Sequence, residues 1–97
     1  MPSAYIIAQV QVTNPAQYED YKKLAALAIQ AHGAEVCVRG GAVLVLEGDW
    51  QPERVVVLKF PSVAAARTFY DSVAYQGARE ARAGAAVMRM IVVEGAA

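Results

Sequence analysis

Cysteine, histidine and tryptophan each occur once in this sequence, as Cys37, His32 and Trp50. A single thiol excludes an intramolecular disulfide, and in a strand-like run it reads as a small buried apolar residue. One His and one Cys far apart in sequence supply no ligand spacing, so no metal site is expected. Charge of one sign is also missing: nine basic and nine acidic side chains cancel. With a pI near 6.6 the chain carries no electrostatic footprint for nucleic acid or anionic lipid. No apolar run approaches the roughly 18 residues that span a bilayer. Met1-Pro2-Ser3-Ala4 lacks the charged and apolar regions of a signal peptide, so a cytoplasmic location is expected. A phosphate-binding loop, a dinucleotide fingerprint and a G-x-S-x-G elbow are all absent, and no cofactor is implied by motif.

What the sequence has in excess is apolar residues, 57% of 97, against an average of roughly 45–50%. That length makes one domain, residues 1–97, not two. A domain this small buries only about 60–65% of the surface its unfolded chain exposes. Its apolar surplus therefore needs a second place to hide.

Residues 4–12 alternate and read as a strand, with Ala4, Ile6, Ala8, Val10 and Val12 on one face and Tyr5, Ile7, Gln9 and Gln11 on the other. Asn14-Pro15 opens a helix: Asn14 as N-cap, Pro15 at N1 where it needs no N–H, and Gln17 at N3 able to reach back. That helix runs to about His32, with Tyr18, Tyr21, Leu24 or Ala25, and Ala28 on one stripe, and Gly33 as its left-handed terminator. Residues 35–39 form a strand, followed by Gly40-Gly41 and a second strand-like run over 42–47. The glycine pair makes a hairpin or a bulge; the shortness of each half favours a bulge in one long bent strand. After a loop over 48–52, residues 53–60 form the third strand, with Val56, Leu58 and Phe60 on one face and Val55, Val57 and Lys59 on the other. Ser62 caps a second helix that buries Ala66, Phe69, Tyr70 and Val73, interrupted at Asp71-Ser72 and continuing over about 73–83. Residues 87–94 are the last strand, and Gly95-Ala96-Ala97 a tail.

The order βαββαβ implies an α+β fold with an antiparallel four-stranded sheet and both helical segments on one face. The other face would then carry Tyr5, Ile7, Val55, Val57, Ile91 and Val93. Six apolar side chains there exceed what soluble monomers usually leave wet, so the chain is expected to pair with itself through the sheet.

The chain resembles the small bacterial proteins of the DUF1330 family, within the ferredoxin-like, dimeric α/β-barrel superfamily. The likeness rests on Asn14-Pro15-x-x-Tyr18-x-x-Tyr21, His32-Gly33, Val38-Arg39-Gly40-Gly41, Leu46-Glu47-Gly48-Asp49-Trp50, the run from Glu53 to Ser62, and Tyr70-Asp71-Ser72-x-x-Tyr75-Gln76. Ala34 and Cys37 are mild departures, where the family often has a glycine and a bulkier apolar residue. The resemblance implies a dimeric barrel with no established activity. Its superfamily holds cofactor-free monooxygenases, a lactone isomerase and haem enzymes beside ligand-sensing domains, so fold leaves function open.

His32 is the natural candidate for proton transfer near neutral pH, yet a residue of its type also simply suits a helix end. Arg39 with Gly40 offers a bidentate anion contact beside a backbone that a ligand can approach closely. Trp50 reads as a ligand lid or as an anchor on a dimer partner. The hydroxyls of Tyr18, Tyr21, Tyr70 and Tyr75 each need a partner if buried; converging with His32 and Arg39, they would shape a polar-tipped pocket between helices and sheet for a small aromatic or acidic metabolite. The alternatives are a cofactor-free monooxygenase or isomerase using His32 for proton transfer and Arg39 for anion stabilisation, or a structural, protein-interaction dimer.

Overall fold

Alternation in the sequence becomes a two-faced sheet in the structure, a computed structural model that describes residues 2–96. Met1 and Ala97, the last residue of the expected tail, lie outside the described residues. Strand β1, Ala4–Val12, buries Ala4, Ile6, Ala8 and Val10 on its inner face. It is central, pairing antiparallel with β3 (Arg54–Phe60) and β4 (Ala86–Glu94). β2 (Glu35–Arg39) pairs with the far edge of β3, giving the order β2-β3-β1-β4. This is the ferredoxin-like α+β arrangement.

Local signals set the helices. Helix α1, Pro15–Ala31, starts at the Asn14 cap, whose side chain accepts from the Gln17 amide at 3.2 Å. Tyr18, Tyr21, Ala25 and Ala28 form its buried stripe; Leu24 is exposed. Gly33 takes a φ of +65° after the last turn, where a side chain would be strained. Gln17 does not reach back to its own cap. Its amide donates to the carbonyls of Ala81 (3.0 Å) and Ala83 (2.8 Å), tying the start of α1 to the end of α3 (Val73–Ala81).

The expected break at Asp71-Ser72 divides α2 (Val63–Asp71) from α3, and Ser72 serves both. Its hydroxyl donates to the Phe69 carbonyl at 2.7 Å and accepts from the Tyr75 amide at 3.2 Å. The break resets the helical phase. Val73, expected in the core, turns outward, while Tyr75 and Ala78 turn in. The three helices share one core with the inner sheet face around Phe60, Phe69 and Tyr75.

Three expectations for the central segment are corrected. The bulge lies at Cys37, where Val36 faces Leu58 but Val38 already faces Val57, and not at Gly40-Gly41. Cys37 is consequently exposed on an edge strand and not buried. Residues 42–47 form no strand. β3 begins at Arg54, and its Val55 carbonyl has already accepted the Gly40 amide at 2.9 Å, so the following residues meet no strand partner among the described residues. Leu44 and Leu46 are left 81% and 89% exposed.

The chain is a slab of 38 × 37 × 16 Å, two layers thick. On the uncovered sheet face Val87 and Ile91 are 58% and 59% exposed, flanked by half-buried Ile7, Val55 and Val57. The accessible surface is 6336 Å². A folded monomer of this mass exposes roughly 5,400 Å², so the excess is on the order of 900 Å².

Candidate functional site

A cavity of about 270 Å³ opens between α1 and the inner face of the sheet. Its floor is apolar: Ile6, Ala8, Leu58 and Met90 come from three strands, and Ala25 and Ile29 from α1. The polar groups are few and of one kind. Lys22, Arg39 and Arg54 are its cationic lining residues, and Tyr18, Tyr21 and Tyr75 line it too. No carboxylate lines it among the described residues.

Two features of the backbone deliver the arginines. Simple alternation along β2 would put Arg39 on the face opposite Val36. The extra residue at Cys37 shifts the register, so that Arg39 stands opposite Val56, an inner-face residue, and enters the cavity wall. Arg54 opposes Val10 on the same inner face. Its guanidinium lies directly over Gly40, where an added Cβ would come within 2.6 Å of the guanidinium carbon. Gly40 holds a φ of +65°, so it both makes the left-handed turn and clears the seat of Arg54.

The tyrosines are arranged around a buried contact. The hydroxyls of Tyr21 and Tyr75 lie 2.7 Å apart, and their rings meet edge-on at 6.2 Å. Burial, reinforced by the Tyr75 hydroxyl, drives the Tyr21 phenol far above its usual range, so it stays protonated at physiological pH. Burial raises Tyr18 too, and the neighbouring Arg54 charge partly opposes the shift.

The structure brings together some of the residues singled out from sequence and separates others. Tyr18 and Arg39 share the cavity, and Gly40 backs it through Arg54. His32 is not in its walls. Its Nδ1 lies 2.9 Å from the Ala28 carbonyl, and its ring packs edge-on against Phe69 at 5.7 Å. His32 and Arg39 therefore do not share the walls of this cavity. Tyr70 faces a second space, about 240 Å³ between α2 and β4, with the Arg79 guanidinium 4.5 Å over its ring. Trp50 is on the opposite side of the sheet, where its indole N–H donates to Gln9 at 2.9 Å. Among the described residues no three His, Cys, Asp or Glu side chains gather into a metal-binding group.

Sequence reasoning passed over Arg54 and Lys22. A signal for Arg54 existed: the alternation that puts Val56, Leu58 and Phe60 on the core face, run back one step, puts an arginine there too. A charge at a core position is the informative case.

The sequence profile of a family described as a domain of unknown function (DUF1330) matches residues 3–96. Among solved structures, a protein of unknown function from Rhodopseudomonas palustris superposes with a TM-score of 0.77 at 22% identity, over 99% of this chain and 84% of that one. SnoaB, a cofactor-independent oxygenase from Streptomyces nogalater, gives 0.68 at 12% identity, over 100% and 96%. A dimeric protein of unknown function with a ferredoxin-like fold, from Bacteroides fragilis, gives 0.64 at 8% identity, over 95% of each chain. At these identities the likeness is one of fold. No curated protein matches the chain.

Proposed function

The chain belongs to the DUF1330 family, and from that footing we propose that it is a homodimer that binds a small aromatic or acidic molecule between α1 and the sheet. The observation that carries the ligand part is the cavity itself: an apolar floor with a few polar groups converging on one side, the usual composition of a small-molecule site. Its 270 Å³ falls just below the roughly 300 Å³ at which such pockets begin, so the occupant is small.

The dimer is supported by area. The excess surface, on the order of 900 Å², matches the roughly 800 Å² per partner of a standard interface. Pairing through the uncovered sheet face, as a dimeric barrel, would remove Val87 and Ile91 from water; Trp50, held on that face by Gln9, then serves as an interface anchor. The Bacteroides fragilis structure is described as dimeric, which favours the same assembly here. No helix among the described residues is long and apolar enough to cross a membrane. A free, exposed Cys37 fits a reducing, cytoplasmic setting.

Two measurements test this reading. Sedimentation velocity should give twice the 10.4 kDa chain mass for the native protein and the single chain mass for Ile91→Asp; a native monomer refutes the dimer. Amide shift mapping with benzoate and benzamide should perturb Ala25, Ile29 and Leu58; shifts scattered over the surface, or none, refute the cavity.

A further inference from the structure

We propose that the cavity is an anion site in which Arg54 is the anchor, and that its ligand is a small apolar body bearing one carboxylate or an equivalent delocalised oxyanion. The inference rests on the ligand-binding reading above and narrows it to one chemical class.

Charge is the first support. The protein as a whole is neutral, yet three cations and no carboxylate reach this cavity. The ion pairs among the described residues leave both arginines out: Lys22 pairs with Glu19 at 2.9 Å and Arg67 with Asp71 at 2.8 Å. A desolvated charge without a counter-charge is unfavourable, and proteins normally pair it. Arg39 and Lys22 are exposed, but Arg54 is half-buried, and among the described residues no acid pairs with it.

Hydrogen bonding is the second. The Nε of Arg54 is buried and has no protein acceptor. Arginine and lysine only donate. The Tyr21–Tyr75 pair holds two hydroxyl protons but needs only one for the contact between its oxygens, so the other remains available to donate. The three cations of the cavity only donate, whereas the tyrosine oxygens can also accept, so the head group that best complements the arginine side is rich in acceptors. An ionised carboxylate is acceptor-only, and its two oxygens match a guanidinium in a bidentate manner. Arg82 also has a buried Nε without a protein acceptor, but its guanidinium lies 5.4 Å over the Tyr21 ring and it is not a wall of the cavity. Arg54 is the orphaned arginine that the cavity reaches.

The third support is the seat. Gly40 leaves room for the Arg54 guanidinium where any side chain would collide. With Leu58 and Ala25 as the apolar floor, an aryl or short alkyl body fits behind the head group.

Benzoate and its neutral isostere benzamide make the test, read by titrating cavity amide shifts in the native protein, Arg54→Met, Arg54→Lys and Arg39→Met. Loss of a hydrogen-bonded charge contact predicts that the native protein prefers benzoate by roughly 10- to 100-fold. Arg54→Met should lose that preference while keeping benzamide affinity, which also shows that the variant is folded; Arg54→Lys should keep part of it. Equal binding of the two probes, or a preference that survives Arg54→Met and vanishes in Arg39→Met, overturns the assignment and leaves the cavity reading standing. Failure of both probes to perturb the cavity refutes both.

Discussion

Substituting Gly40 separates two properties that a glycine can supply. At φ +65° a side chain costs about 1–2 kcal/mol in the left-handed region, which for a domain of this size lowers the melting temperature by roughly 4–16 °C. Gly33 has the same φ, and a Cβ there would meet nothing within 4 Å. Gly33→Ala therefore measures the backbone cost alone. Gly40→Ala carries the same cost and in addition drives its methyl into the Arg54 guanidinium. That guanidinium is the tip of a long side chain and can swing aside, so the extra loss of stability is small, within about 0.5 kcal/mol of the Gly33 value. What the swing removes is the anchor. Urea denaturation at one fixed protein concentration should thus show two variants destabilised alike, whereas benzoate titration should show Gly33→Ala binding as the native protein and Gly40→Ala losing the preference over benzamide. If Gly40→Ala retains native benzoate affinity, Arg54 is not seated over Gly40 in the working protein and the account of the site fails.

The tyrosine pair gives two more expectations. Tyr75→Phe leaves the buried Tyr21 hydroxyl without its partner at 2.7 Å and should cost about 1–3 kcal/mol. Removing both hydroxyls should cost less than the two single changes together, and additive losses in a double-mutant cycle would show the contact to be energetically idle. Alkaline pH should destabilise the fold through the same pair. The Tyr21 pKa in the native state is raised above the ordinary 10.0, so its contribution is fully present below pH 10 and falls away as pH climbs from there toward the raised value. Above pH 10 the unfolded state releases a proton that the folded state keeps. Tyr21→Phe should flatten that decline in urea denaturation, and an unchanged slope would remove Tyr21 as its source.

Much of this protein was decided one element at a time. Period-two alternation places Ala4, Ile6, Ala8 and Val10 on a single face whatever else the chain does. Asn14, Ser62 and Ser72 start helices because their side-chain oxygens find an amide three residues on. The apolar excess already implies that one sheet face needs covering. None of these depends on a distant residue, and all are legible in the sequence.

The cavity is different, because each of its parts depends on how elements meet. Arg39 belongs to the inner face through a register shift at Cys37 that only pairing with β3 defines. Residues 42–47 have strand chemistry but no strand to pair with in one chain. His32 has the right chemistry for a proton carrier, but the packing of α1 against Phe69 holds it outside the cavity walls. Arg54 shows its core position by alternation, yet its lack of a counter-charge is a property of everything around it. Cysteine, histidine and tryptophan, the scarce residues of this sequence, define what the chain cannot build; where Arg39 and Arg54 stand, and that no acid among the described residues pairs with them, is decided by tertiary contacts, because a charge is unpaired only in three dimensions.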